Sequence, residues 1–226
     1  MPRINTETFY VVDFDRTLAD SEKLLEVFMT VSEQHLDIPR EEIEKVDRDV
    51  KSRGDTLDIV NYVRDQLAAR DQNEQWEEVE RQFIHESRGL NMLLPGAAEL
   101  LDFLKDNNHR YGILTYGSPM WQRMKITAAG FKYVPHIITQ SKEKGRFIRH
   151  WQLDDQTFMI PKELGGGAAD RVVLIDDKAD SFIEFPDSNS VGYWVLDPNH
   201  ELPAQQGSVP ANVIRYTNLT ELLENL

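Results

Sequence analysis

The chain has 226 residues, 40% hydrophobic and 28% charged, enough for one sizeable core with a smaller insert. A formal net charge of −14 disfavours nucleic-acid backbones and anionic membranes as partners. The absence of cysteine excludes disulfides, zinc–thiolate centres and thiol nucleophiles. No apolar run approaches the roughly 20 residues that span a bilayer. Met1–Glu7 is polar and lacks the apolar stretch of a secretory signal, so a cytoplasmic location is expected.

Phe9–Val12 is a short, continuous run of aromatic and β-branched residues, the pattern of a strand buried on both faces. Residues 21–89 then read as helical stretches without a strand, at Glu22–His35, Arg40–Lys51, Thr56–Ala69 and Glu74–Glu86. Pro95-Gly96 opens a further helix, Ala97–Asn107, whose Leu100, Leu101 and Leu104 form one stripe. Beyond it, runs at Tyr111–Thr115, His136–Thr139, Val172–Ile175, Val191–Leu196 and Val213–Tyr216 predict strands. Helices are predicted at Met120–Ala129, Arg146–Leu153 and Leu219–Leu226. Gly165-Gly166-Gly167 reads as a flexible turn before a strand, and the sequon Asn218-Leu219-Thr220 as chance. Strands alternating with helices imply an α/β fold with a parallel sheet and right-handed crossovers. The expected division is a core of residues 1–20 and 90–226 with an all-helical insert at 21–89.

Polar residues recur at the carboxyl ends of the apolar runs, the edge of an open α/β sheet at which ligands bind. Asp13 and Asp15 follow the first run, Thr115 with Tyr116 and Gly117 the second, and Asp176 and Asp177 close Val172–Ile175. Lys142 and Lys144 follow His136–Thr139. Taken singly, each piece is a common turn or cap. Arriving together at strand ends, they place several carboxylates in one crevice, where a hard divalent cation such as Mg2+ would relieve their repulsion. A hydroxyl and a lysine beside them complete a phosphate site. One carboxylate can act as nucleophile, and another two residues on as general acid and base.

The motifs Asp13-Phe14-Asp15-Arg16-Thr17-Leu18, Leu114-Thr115 and Ile175-Asp176-Asp177 resemble those of the haloacid dehalogenase superfamily. Leu94-Pro95-Gly96 before an amphipathic helix resembles that family's return from cap to core. The resemblance covers residues 8–20 and 90–226. It implies a Rossmann-like core with a helical cap inserted after the first strand. It also implies a Mg2+-dependent phosphatase that hydrolyses small phosphorylated metabolites.

Under that resemblance Asp13 attacks phosphorus and becomes an aspartyl phosphate. Asp15 protonates the leaving oxygen and then activates water; its backbone carbonyl also holds Mg2+. Thr115, with Tyr116 and Gly117, binds the phosphoryl oxygens. Lys144 or Lys142 neutralises charge at Asp13; the stretch Ser141–Arg146 offers both and lacks the family's Lys-Pro pair. Asp177 is expected to bind the metal directly beside Asp176 and Asp13, and the reverse order of the pair stays open. Dehalogenase members lack an acid at the position of Asp15, so its presence favours phosphoryl transfer. In the cap, the basic turn Lys51-Ser52-Arg53-Gly54-Asp55 offers Lys51 and Arg53 as substrate-binding residues, with a plain helix C-terminus as the competing reading. A phosphomutase of the same family is the alternative enzyme. A non-catalytic phosphate-binding or regulatory module is the alternative outside catalysis, and retention of both Asp13 and Asp15 argues against it.

Overall fold

The computed structural model describes residues 7–36, 38–52, 57–196 and 209–226. Its elements run β1 (Thr8–Val12), α1 (Ser21–Leu36), α2 (Arg40–Ser52), α3 (Ile59–Ala69), α4 (Trp76–Arg88), α5 (Ala97–Asp106), β2 (Arg110–Tyr116), α6 (Pro119–Ala128), β3 (His136–Thr139), α7 (Lys144–Arg149), β4 (Phe158–Met159), β5 (Ala168–Ala169), β6 (Arg171–Asp176), β7 (Ser190–Val195), β8 (Val213–Tyr216) and α8 (Leu219–Leu223). Among the described residues, no helix is long and apolar enough to cross a membrane.

Six strands form one sheet in the order β3-β2-β1-β6-β7-β8, and every neighbouring pair is parallel. Central parallel strands are covered on both faces, which explains why Phe9–Val12 and Val172–Ile175 are uninterrupted apolar runs and why all of them are buried. Phe9, Val11, Leu114, Val172 and Leu174 share a core with Phe158, Phe182 and Phe185. Each fully buried large side chain of this kind contributes about 1.5–3 kcal/mol over an exposed one. The sheet is parallel, as the alternating pattern implies, and is the Rossmann-like core that the resemblance implies.

The strand order reverses at β1. The chain leaves β1 for β2 and β3 on one side and returns through β6 to β8 on the other. Val12 pairs with both Ile113 and Ile175, so the residues that follow these three positions emerge at a common carboxyl edge. That reversal creates a crevice beside β1.

The described residues group into two compact units. One comprises the chain up to Ala19, Leu93–Gly117 and Tyr133 to the C-terminus; the other comprises Asp20–Met92 with Ser118–Lys132. The second unit holds α1 to α4 and also α6, a helix expected in the core. The reason is aromatic packing. Trp121 of α6 sits 5.0 Å from the Phe28 ring and 5.4 Å from the Phe83 ring, centroid to centroid, and the two Phe rings are 5.7 Å apart.

Other boundaries shift for local reasons. Helix α7 starts at Lys144 and ends at Arg149 rather than running to Leu153. Buried Trp151 leaves the helix because its carbonyl accepts the Met159 N–H at 2.8 Å, and Leu153 N–H bonds the Thr157 carbonyl at 2.8 Å. Strands β4 and β5 form a two-residue antiparallel pair that the sequence reading lacks. The three glycines before β5 all have positive φ, the left-handed region that glycine enters without a Cβ penalty. Arg110 pins this turn by donating to the Gly166 and Ala168 carbonyls, so it is anchored rather than loose. Asn218 caps α8 by accepting the Glu221 N–H at 2.8 Å, a structural use of the sequon residue.

Candidate active site

Asp13 is the first residue beyond β1, and its N–H continues the ladder to the Ile175 carbonyl at 2.9 Å. The backbone then turns. The N–H groups of Leu18 and Ala19 both bond the Phe14 carbonyl, and Arg16 takes a left-handed φ of 61°. Phe14 and Leu18 are fully buried and anchor this turn from below. Asp13 is buried and Asp15 half-buried, and the two line one cavity.

From β2 the same cavity receives Thr115, whose buried Oγ1 has no hydrogen-bond partner among the described residues, and Tyr116. Gly117 extends that edge by donating its N–H to the Thr139 carbonyl at 3.2 Å, but it does not line the cavity. Lys142 lies in the loop before α7. It is exposed, with its ammonium 5.6 Å from the centroid of the Tyr116 ring. Lys144 opens α7 and is 3% exposed. Its Nζ donates to Asp13 Oδ1 at 2.6 Å and to Asp176 Oδ2 at 2.6 Å. Of the two lysines, Lys144 reaches the carboxylates.

The acidic pair divides its work. Asp176 is the last residue of β6; one oxygen takes Lys144 and the other accepts the Lys178 N–H at 2.9 Å. Asp177 keeps both carboxylate oxygens buried with no hydrogen-bond partner among the described residues. Its backbone is fixed by Trp194, whose Nε1 donates to the Asp177 carbonyl at 2.9 Å. Oxygens from Asp13, Asp176 and Asp177 lie within 4.8 Å of one another.

Such crowding is costly for bare carboxylates. Burial pushes the Asp13 carboxyl up to about 6, against the pull of Lys144. Burial, with Asp176 and Asp13 nearby, raises Asp177 well above the usual carboxylate range. Burial alone would lower the Lys144 ammonium, but the Asp13 and Asp176 carboxylates raise it above its ordinary value, so it stays charged. The donor set fits a hard divalent cation. It offers oxygen atoms only, and the unpartnered oxygens of Asp177 are orphaned acceptors that a cation would satisfy.

Asp13, Asp15, Thr115, Tyr116, Lys142 and Lys144 therefore share a cavity, with Asp176 and Asp177 against Asp13. The Lys51 side chain and Arg53 lie outside the described residues. Lys178 and Ser181 also line the cavity and were not expected. The available signal was position: Lys178 follows the acidic pair directly, and Ser181 comes one turn later in a 3-10 segment, Ala179–Phe182.

Among solved structures, a candidate haloacid dehalogenase-like hydrolase of Burkholderia xenovorans matches with TM-score 0.63 at 16% identity, over 97% of this chain and 96% of that one. A phosphatase of the family from Thermococcus onnurineus matches with TM-score 0.58 at 18% identity, over 96% and 97% of the two chains. The candidate hydrolase YfnB of Bacillus subtilis, in a magnesium-bound form, matches with TM-score 0.57 at 15% identity, over 98% and 99%. At such identities these likenesses speak to the fold alone. Among curated proteins none matches the chain. The family model for haloacid dehalogenase-like hydrolases matches residues 10–146. Because that match spans more than half of the chain and takes in Asp13, Asp15, Thr115 and Lys144, the chain belongs to the haloacid dehalogenase-like hydrolases.

Proposed function

We propose that this hydrolase is a phosphatase that cleaves small phosphate monoesters through a phosphorylated Asp13. The observation that carries the reading is the pairing of a buried, lysine-bound carboxylate, Asp13, with a second carboxylate, Asp15, on the same cavity. A carboxylate nucleophile alone would also serve a displacement at carbon, where no leaving oxygen needs a proton. Asp15 supplies the acid that an alkoxide leaving group requires.

In the first step an Asp13 oxygen attacks phosphorus while the bond from phosphorus to the ester oxygen breaks. Asp15 gives its proton to that oxygen, and the alcohol departs. In the second step Asp15, now ionised, takes a proton from water, and the water oxygen attacks phosphorus. The bond from phosphorus to Asp13 breaks, inorganic phosphate forms and the Asp13 carboxylate returns. Lys144 holds Asp13 oriented and offsets charge as it develops. The Thr115 hydroxyl, which has no hydrogen-bond partner among the described residues, would bond a phosphoryl oxygen.

A divalent cation fits the site, with Mg2+ the expected ion. Asp13, Asp177 and the Asp15 carbonyl would hold it, and Asp176 would orient Lys144. When bound, the ion supplies positive charge that lets phosphate approach a cluster of carboxylates and keeps Asp13 ionised.

The experiment is phosphate release from p-nitrophenyl phosphate and a panel of small phosphate esters, with Mg2+ or with EDTA, beside Asp13→Asn. Metal-dependent release that disappears in the variant supports the reading. Isomerisation of a sugar phosphate without release of phosphate would identify a mutase instead. No conversion of any ester by folded, metal-loaded protein would reject the phosphatase.

A further inference from the structure

Three lysines line the cavity, and they are not equivalent. Lys144 is committed: its ammonium is divided between Asp13 and Asp176 at 2.6 Å each. Lys142 is exposed in its loop and lies over the Tyr116 ring. Lys178 differs from both. It is half-buried, its backbone N–H is held by Asp176 at 2.9 Å, and the preceding residue is held by Trp194. Its chain is therefore fixed at the root, in an extended conformation with φ −116° and ψ 131°. Its ammonium makes no hydrogen bond to any described residue, although the Asp177, Asp13 and Asp176 carboxylates are its charged neighbours.

An ammonium carries three donors, and one held near a cavity wall without a partner is a poor structural investment. It gains neither a close ion pair nor full hydration. A phosphoryl group beside Asp13 would provide the missing acceptors, since its oxygens are strong and charged. We propose that Lys178 is a further cation that contacts the phosphoryl oxygens, beside Lys144, whose ammonium orients the carboxylates. This assignment rests on the reading of the cavity as a phosphoryl site. It adds a binding residue outside the motifs from which that reading was made. Ser181, buried in the turn that follows, also lines the cavity.

The test measures binding of inorganic phosphate by calorimetry to the Mg2+-loaded protein, together with KM and kcat for any ester that is turned over. Wild type is compared with Lys178→Gln, Lys178→Arg and Lys162→Gln. Lys162→Gln removes one positive charge from an exposed site elsewhere in the same unit. Loss of charge-assisted hydrogen bonds predicts phosphate affinity roughly 10- to 100-fold weaker in Lys178→Gln. Lys178→Arg should recover most of that loss, and Lys162→Gln should bind as wild type does. KM should rise in Lys178→Gln by more than kcat falls, which a purely structural role would not produce. Circular dichroism of each variant checks folding, and the arginine variant retains the charge should the glutamine variant fail to fold. Unchanged phosphate affinity in folded Lys178→Gln overturns the assignment. Phosphate binding that depends on Lys178, in a protein that hydrolyses no ester, would uphold the anion contact and reject the phosphatase. Failure of wild type to bind phosphate overturns the Lys178 assignment, and ester turnover then decides the phosphatase separately.

Discussion

Lys144 Nζ lies 2.6 Å from Asp13 Oδ1, and both side chains are 3% exposed. A buried pair of this kind is expensive to break from one side, because the remaining charge has neither water nor partner. Lys144→Met should destabilise the metal-free protein by about 3–5 kcal/mol, read from urea unfolding. It should also reduce turnover by a factor on the order of 10²–10³, since Asp13, the proposed nucleophile, loses its orienting donor. Lys142→Met, which removes an exposed lysine, should leave stability within about 0.5 kcal/mol of wild type.

The two acidic residues after Ile175 should separate in a metal titration. Asp177 has both oxygens uncommitted, whereas Asp176 is held by Lys144 and by the Lys178 N–H. Asp177→Asn should raise the Mg2+ concentration needed for half-maximal activity or thermal stabilisation roughly 10- to 100-fold. Asp176→Asn should chiefly lower kcat, by freeing Lys144, with a smaller effect on Mg2+ affinity. Equal shifts in the two variants would contradict this division.

Protons and metal should compete. Burial raises Asp13 to about 6 and Asp177 well above its usual range, so the folded metal-free protein binds more protons than the unfolded chain. The stabilisation that comes from this uptake is complete below the unfolded pKa, near 4, and is lost as pH rises through about 6. A divalent cation bound to the ionised form should restore stability above that window. The thermal shift produced by Mg2+ should therefore be small near pH 5 and larger at pH 7.5. A shift independent of pH would place the ion away from these carboxylates.

Gly145 follows Lys144 and packs against the 183–185 backbone. A Cβ there would meet the Ile183 carbonyl oxygen at 2.6 Å, the Phe185 nitrogen at 2.8 Å and its Cα at 2.9 Å. Backbone cannot move aside as a flexible side chain can, so α7 must shift and carry Lys144 with it. Gly145→Ala should cost about 1–3 kcal/mol in unfolding free energy and lower kcat. Gly130→Ala, at a position with open space but φ 89°, should cost stability without altering kcat in the same way.

Much of the core is legible in the sequence because the physics there is local. A central parallel strand is apolar on both faces, so Phe9–Val12 and Val172–Ile175 stand out as unbroken runs. The residues that end them, Asp13 and Asp176, inherit their place from the strand register. What is not legible depends on contacts distant in sequence. Only tertiary packing brings Lys144, and not Lys142, to the carboxylates. Only the Lys144 and Lys178 bonds to the Asp176 carboxylate separate it from that of Asp177. Helix α6 reads as one more crossover helix, yet its Trp121 packs with Phe28 and Phe83. Lys178 has only its place after the acidic pair as a signal for lining the cavity, because a lysine after a strand usually reaches solvent. Strands β4 and β5 are too short to carry a period.

The central claim is that phosphorus is transferred to Asp13. Acid quenching during turnover of a phosphate ester, followed by peptide mass spectrometry, tests it directly. The account predicts the added mass of one phosphoryl group on the peptide that contains Asp13, present with Mg2+ and absent with EDTA or in Asp13→Asn. Sustained ester hydrolysis by Asp13→Asn, with no phosphoryl group on that peptide in wild type, would contradict it.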